Sequence, residues 1–322
     1  MKKRKVKKLI AIINPISGTT KKKQIIDYFT NHIDRQQFEF KIVLTEYAGH
    51  ASELVKWAIE HTYDYVIAVG GDGTINEVAR SVIGSSLTMG IIPCGSGNGL
   101  ARHLQIPLDM KLAIDVINEQ HVECIDFGKI NDIPFFCTCG VGFDAFVSLK
   151  FARSKKRGIL SYLENTLREY LKYKPNTYTV RTGNNTQQYK AFLIACANAS
   201  QYGNNAYIAP KASLTDGLMD VTILEPFTFM DVPTLSFQLF SKHIDKNKHI
   251  KTFKCKELFI DLEHPSVIHF DGDPMEVEGP LKVELIEKGL NILVPTHPTN
   301  SKSIFVKTID YFSNINVLND LK

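Results

Sequence analysis

Short apolar runs alternate with stretches of helical apolar spacing over the first third of the chain. Residues 8–13, Lys8-Leu9-Ile10-Ala11-Ile12-Ile13, form a run that is apolar after its first lysine. That pattern predicts a strand buried on both faces rather than one facing water. The turn Asn14-Pro15-Ile16-Ser17-Gly18 ends it, and residues 21–31 follow with Ile25, Ile26 and Phe29 on one helical face. A second strand is predicted over 38–45. A second helix spans 51–61, with Ala51, Leu54, Val55 and Ala58 facing inward. The run 65–69 is a third strand, 75–83 has helical spacing, and 88–93 is a fourth strand. Strands alternating with helices up to about residue 120 predict a doubly wound parallel sheet.

The pattern then changes. Short strands are predicted over 122–129, 134–139, 178–181, 189–196, 218–224, 257–262, 267–270, 281–286 and 290–294. Gly183-Asn184-Asn185 is a hairpin signal. Many short strands with turns between them predict an antiparallel β-sandwich. The fold class is therefore α/β plus β. A nucleotide-type α/β domain covers residues 1–125 and a sandwich domain 126–298, and 299–322 is expected to pack back onto the first. Residues 158–173 read as one helix with Ile159, Tyr162, Leu163, Thr166, Leu167 and Tyr170 on a stripe. Residues 243–256 read as a lysine-rich solvated loop or helix end.

A charged content of 22% beside 44% apolar residues places the chain among soluble globular proteins. The formal net charge of +4 owes much to Lys2, Lys3, Arg4, Lys5, Lys7 and Lys8. Such a tract suits a solvated end or an anionic lipid surface. No nucleic-acid-binding module accompanies it, so nucleic acid is not an expected partner. The six cysteines form no C-x-x-C pair and read as reduced thiols. No run approaches the length of a membrane span, and the apolar part of residues 9–13 is too short for a signal peptide. A cytoplasmic protein is expected, peripheral at most at the inner membrane surface; a homodimer is left open.

The chemistry centres on Gly70-Gly71-Asp72-Gly73-Thr74-Ile75-Asn76-Glu77. These glycines fall where a strand ends and a helix begins, the place where open α/β sheets bind ligands. Backbone N–H groups can approach a phosphate there, and the helix N-terminus favours its charge. A bare carboxylate would repel phosphate, so Asp72 implies a metal or a proton to be handled; the alternative is a helix N-cap. Neither G-x-x-x-x-G-K-[ST] nor G-x-G-x-x-G follows a strand, which excludes the P-loop and dinucleotide fingerprints. Residues 14–18, 70–74 and 95–99 are expected to converge at one sheet edge.

Three blocks in this order, Asn14-Pro15-x-Ser17-Gly18, Gly70-Gly71-Asp72-Gly73-Thr74-x-Asn76-Glu77 and Pro93-x-Gly95-Ser96-Gly97-Asn98, resemble the diacylglycerol kinase catalytic-domain family, which includes bacterial lipid kinases and sphingosine and ceramide kinases. NAD kinases and phosphofructokinases share the middle block alone. The resemblance implies a two-domain ATP-dependent kinase acting with Mg2+ on a lipid at a membrane surface. It implies nucleotide binding by Asn14, Pro15, Ser17, Gly18, Thr45, Gly70, Gly71, Asp72, Gly73, Thr74, Asn76, Glu77, Ser96 and Asn98. Ser213-Leu214-Thr215-Asp216-Gly217-Leu218 resembles a segment that holds a structural magnesium, which implies the Asp216 carboxylate and backbone oxygens of Ser213 and Leu218 as ligands. Phe270-Asp271-Gly272-Asp273-Pro274 carries the acid that would accept the proton. Many members have Glu where this chain has Asp273, and Asp271 is the fallback; Asp72 acts on the phosphate network. The third block lies nearer the sphingosine and ceramide branch. The acceptor is accordingly open among diacylglycerol, a sphingoid base, ceramide and a soluble compound such as NAD.

Overall fold

The computed structural model describes residues 6–18, 22–153, 173–183 and 185–297. The apolar runs become the central parallel strands, β1 (Lys7–Ile13), β2 (Phe38–Leu44), β3 (Tyr65–Gly70) and β4 (Thr88–Pro93). Every residue of β3 is buried, as a strand covered by helices on both faces requires. The spatial order is β2-β1-β3-β4. The chain thus leaves β1 for β2 on one side and returns for β3 on the other. Between the carboxyl ends of β1 and β3 lies the switch point where such sheets open a crevice. The covering helices are α1 (Lys22–His32), α2 (His50–Glu60), α3 (Asp72–Val82), the short α4 (Gly99–His103) and α5 (Met110–Glu119). Ile25, Phe29, Ala51, Val55 and Ala58 are buried as their spacing predicts, while Ile26 and Leu54 are half-buried at the edge of the same core.

The second half is a sandwich of antiparallel sheets. One sheet has the order β12-β11-β10-β7-β14-β15. Its strands are β7 (Thr138–Gly142), β10 (Leu193–Ala197), β11 (Met219–Leu224), β12 (Ile250–Cys255), β14 (Ser266–Phe270) and β15 (Asp273–Val277). The facing sheet holds β5 (Val122–Ile130), β6 (Ile133–Phe135), β8 (Asn176–Thr182), β9 (Asn185–Ala191), β13 (Glu257–Leu262) and β16 (Leu281–Leu293). Ile130, Phe135, Val141, Tyr178, Ile194, Val221, Ile260, Ile268 and Val283 fill the space between them. A separate apolar layer lies outside the first sheet. There α6 (Phe143–Arg153) and α7 (Val232–Phe240) cover Phe192, Leu193, Ala195 and Ala197.

Three features differ from the sequence pattern. Residues 281–286 and 290–294 are one strand, β16, whose register against β5 shifts between Ile286 and Leu290. Lys288 takes φ 51° there, and a Cβ on Gly289 would overlap the Phe127 ring. The break in apolar alternation is therefore a bulge inside one strand, not a turn between two. β16 begins against β13 and ends in parallel beside β4 at Ile292 and Met89. It ties the two halves into one ten-stranded sheet. Part of 243–256 is β12, an edge strand with Lys251, Thr252 and Lys254 exposed, rather than a loop. Most of the helix expected over 158–173, and the segment 299–322, lie outside the described residues.

Candidate active site

The Asn14–Gly18 turn leaves β1 beside the end of β3. Asn14 Nδ2 donates to Thr74 Oγ1 at 3.0 Å, and the Gly71 N–H points at Ser17 Oγ, 3.4 Å away. Thr45 continues the row, donating its N–H to the Ile13 carbonyl. A Cβ on Gly18, whose φ is +73°, would meet the Cys94 carbonyl, and one on Gly95 would lie 2.7 Å from the Gly71 Cα. Glycine is therefore required for the loops to approach each other as closely as they do. The three loops do meet at the switch point. Gly73 and Ser96 are exposed on their rim, Asn76 is buried on α3, and Pro15 is half-buried. Glu77 turns the other way. Its carboxylate accepts the Ser52 N–H at 3.0 Å and so caps the first turn of α2.

Asp72 opens α3, and Gly71 is the N-cap. The carboxylate accepts the N–H groups of Asn98 (2.8 Å) and Gly99 (2.7 Å) at the start of α4. Its charge thus sits on the donors of a neighbouring helix start, not on those of its own. Asn98, held at φ 52°, locks the same loop by bonding both the N–H and the carbonyl of Gly95. A Cβ on Gly97 would lie 2.6 Å from Asp72 Oδ2. Arg102 Nε donates to the Gly97 carbonyl at 2.9 Å, and the Asn204 N–H donates to the same oxygen at 3.1 Å. Burial pulls the Arg102 guanidinium down from its ordinary value, while the charges of Tyr207 and Asp72 push it up. The sandwich half therefore reaches the third glycine loop through residues 201–205.

Asp271 and Asp273 stand at the other end of α3 and have unlike surroundings. Asp271 has φ 53° and a buried carboxylate that accepts the N–H groups of Phe136 (2.9 Å), Cys137 (2.7 Å) and Thr138 (3.1 Å). Burial pushes its carboxyl up, opposed by those three N–H groups and by Arg80. Asp273 begins β15 with its side chain 53% exposed. Arg80, on α3, reaches both: 3.3 Å to Asp273 Oδ2 and 4.0 Å to Asp271 Oδ2. Its Nε donates to the Pro134 carbonyl and its guanidinium lies over the Phe270 ring at 5.1 Å. Eight residues separate Asp72 from Arg80, roughly 12 Å along a helix axis. The buried Cys137 thiol lies between the two regions; burial raises its pKa, and the charges of Asp271 and Asp72 raise it further.

The amino-terminal half, residues 8–130, matches the model of the diacylglycerol kinase catalytic domain. Residues 137–294 match that of the YegS C-terminal NAD kinase beta sandwich-like domain. Together the two models span most of the chain. This chain belongs to the diacylglycerol kinase catalytic-domain family. It is similar to a diacylglycerol kinase of Mycobacterium tuberculosis, 26% identical over 312 residues, with 92% of this chain and 98% of the relative covered. It is also similar to a diacylglycerol kinase of Bacillus subtilis, 27% identical over 276 residues (83% and 90% covered). A solved diacylglycerol kinase from Bacillus anthracis shares the fold with TM-score 0.70 at 19% identity, covering 91% of this chain and 98% of that one. An Archaeoglobus fulgidus NAD kinase solved with ATP shares it with TM-score 0.51 at 14% identity (88% and 93% covered).

The segment expected to hold a structural magnesium makes an ion pair and local hydrogen bonds. Asp216 Oδ2 lies 2.7 Å from Lys254 Nζ, and Asp216 Oδ1 accepts the Leu218 N–H at 3.2 Å. Lys254 also lies 3.2 Å from Asp220 Oδ2. Ser213 Oγ accepts the Thr215 N–H. The Asp216 carboxylate, the only charged donor of the set, is thus paired with an ammonium. Among the described residues no group of three or more His, Cys, Asp or Glu is placed to hold a metal. Ser213 and Thr215 instead line a cleft of about 450 Å³ with His103, Glu123 and Thr296, apart from the glycine loops.

Sequence reasoning missed Arg80, Arg102 and the 201–205 loop. Arg102 carries a faint signal, a cation directly after a glycine loop. Gln201-Tyr202-Gly203-Asn204-Asn205 carries another, since Asn and Gly tolerate positive φ; Gly203, Asn204 and Asn205 all adopt it.

Proposed function

We propose that this chain is an ATP-dependent lipid kinase that transfers the γ-phosphate to the hydroxyl of a lipid such as diacylglycerol. One observation carries the reading. A single helix, α3, begins at the glycine loops and, through Arg80, ends on a pair of acids of which one is locked and one is exposed. Phosphoryl transfer asks mainly for positioning and charge neutralisation, with one group to take a proton. The glycine loops supply N–H groups and a helix N-terminus for the phosphates, with Asn14, Ser17, Thr45, Thr74 and Ser96 around them. Arg102 is a second cation within reach of the field of Asp72.

Asp273 is the proton acceptor in this reading. As the lipid oxygen attacks the γ-phosphorus, the hydroxyl proton passes to Asp273, the bond to the bridging oxygen breaks, and ADP leaves with the electron pair. Asp271 spends its oxygens on three backbone N–H groups and so positions β7, β15 and Arg80. Asp72 holds the third loop in place through the Asn98 and Gly99 N–H groups. Magnesium enters with the donor as MgATP and offsets phosphate charge.

The third loop keeps a second acceptor class in view, because Gly95-Ser96-Gly97-Asn98 resembles the sphingosine and ceramide branch. The test is transfer of labelled γ-phosphate from MgATP to micellar diacylglycerol, monoacylglycerol, sphingosine and ceramide, and to NAD. A labelled lipid is expected, and its identity names the acceptor. Label in NAD and in none of the lipids would overturn the lipid reading. The site of action is the cytoplasmic face of a membrane; no helix among the described residues is long and apolar enough to cross one.

A further inference from the structure

The segment 225–251 carries a surface that the phosphoryl-transfer site does not use. Phe229, Met230 and Phe237 are 60%, 84% and 72% exposed, within nine residues of one another on one turn and the helix α7. Residues 232–241 contain no charged side chain. A helix facing water would carry charge on its outer side, and an exposed apolar patch marks an interaction surface.

Charges around this patch are layered. Asp245 is 11% exposed while its partner Lys211 is 77% exposed. Asp231 is 19% exposed while Lys248 is 74% exposed. Glu225 is 30% exposed and Lys251 50%. Each acid is recessed beneath a lysine, and Lys242 and Lys246 are also exposed. The outermost charge around the apolar tip is therefore positive, which matches an anionic bilayer.

The tip is also connected to the site. Below it, Phe227 packs on Phe192 (ring centroids 4.9 Å), and Phe192 on Phe143 (4.5 Å) and Tyr173 (5.3 Å). Phe143 precedes Asp144, whose Oδ2 bonds both the Tyr202 hydroxyl and His269 Nε2 at 3.0 Å. Tyr202 belongs to the loop that meets Gly97. A chain of contacts, aromatic as far as Phe143 and hydrogen-bonded through Asp144 and Tyr202, thus runs from beneath the tip to the third glycine loop.

We propose that Phe229, Met230 and Phe237, rimmed by Lys242, Lys246 and Lys248, dock the protein on the surface of an anionic lipid bilayer. This rests on the lipid-kinase reading for its purpose, but its test does not need turnover. Full-length protein is sedimented with vesicles of phosphatidylcholine alone and of phosphatidylcholine mixed with phosphatidylglycerol. Binding to the anionic vesicles is expected to fall about tenfold in the F229S/M230S/F237S variant. K242E/K246E is expected to weaken it by several fold, and deletion of residues 2–5 to leave most of it. The substituted side chains are exposed, so thermal unfolding should stay unchanged, which separates lost docking from lost folding. Equal sedimentation of wild type and triple variant, or no sedimentation of the wild type, overturns the proposal. A dimer in light scattering that the triple variant dissolves assigns the face to a second copy and also overturns it. Absence of any labelled lipid in the transfer assay would overturn the kinase reading alone.

Discussion

Replacing Asp72 by Asn tests whether that carboxylate holds the loops as well as serving the chemistry. In the folded chain it accepts two N–H groups at 2.8 and 2.7 Å, from Asn98 and Gly99. An amide keeps one oxygen and turns an NH2 toward the other donor. One charge-assisted hydrogen bond is then lost, a loss of about 1.5–3 kcal/mol, and a partly buried N–H is left unmet. Asp72→Asn should therefore destabilise the chain by about 2 kcal/mol. Urea unfolding followed by far-UV circular dichroism measures this as a lower midpoint at an unchanged slope. Gly97→Ala presses a Cβ to 2.6 Å from the same oxygen and should cost a comparable amount. Because both act on one contact, the double variant should lose clearly less than the sum. Ser96→Ala, on the exposed rim, is the control and should stay within about 0.5 kcal/mol of wild type. A wild-type midpoint for Asp72→Asn would refute the clamp and leave the carboxylate with a chemical role only.

His103 predicts a pH dependence. Its Nδ1 accepts the Ser200 N–H, and burial, helped by Lys242, lowers its pKa to about 4. The unfolded chain, with an ordinary histidine near 6.5, binds a proton that the folded chain refuses. Stability is therefore full above about pH 6.5 and falls toward pH 4, by about 3 kcal/mol in all. His103→Asn keeps an acceptor and should flatten that slope in unfolding curves taken across the interval. Arg80→Lys removes the planar fork that spans Asp271 and Asp273, and should lower kcat by roughly tenfold or more, with MgATP affinity in calorimetry unchanged. Lys254 already neutralises Asp216 and Asp220, so thermal unfolding of the wild type should respond equally to excess EDTA and to excess Mg2+. Lys254→Met leaves two facing carboxylates and should melt lower; stabilisation of the wild type by Mg2+ of several degrees would contradict the lysine assignment.

Local pattern carried the α/β half of the fold, because buried parallel strands are continuous apolar runs and their connections are helices with a 3.6-residue period. Residues 9–13 and 65–69 are legible for that reason, and so are the glycine loops, where three glycines exceed what one turn needs. What the pattern could not carry is pairing at a distance. Asp72 meets N–H groups 26 and 27 residues away, and Asp271 meets donors more than 130 residues away. Whether an acid is a clamp or an exposed base depends on such partners. Lys254 reached Asp216 only because β12 pairs with β11, which places Lys254 beside Asp220. The hydrophobic period also breaks at bulges, so β16 reads locally as two strands.

The claim that Asp273 is the proton acceptor of a lipid kinase built on these loops is tested most directly by one comparison. Transfer of labelled phosphate from MgATP to the best lipid acceptor is measured for wild type, Asp273→Asn and Asp273→Glu, with MgATP affinity measured in parallel. Asp273→Asn is expected to lower kcat by about 10²-fold or more at unchanged nucleotide affinity, and Asp273→Glu to restore most of it. An Asp273→Asn enzyme that labels the lipid at the wild-type rate would contradict it.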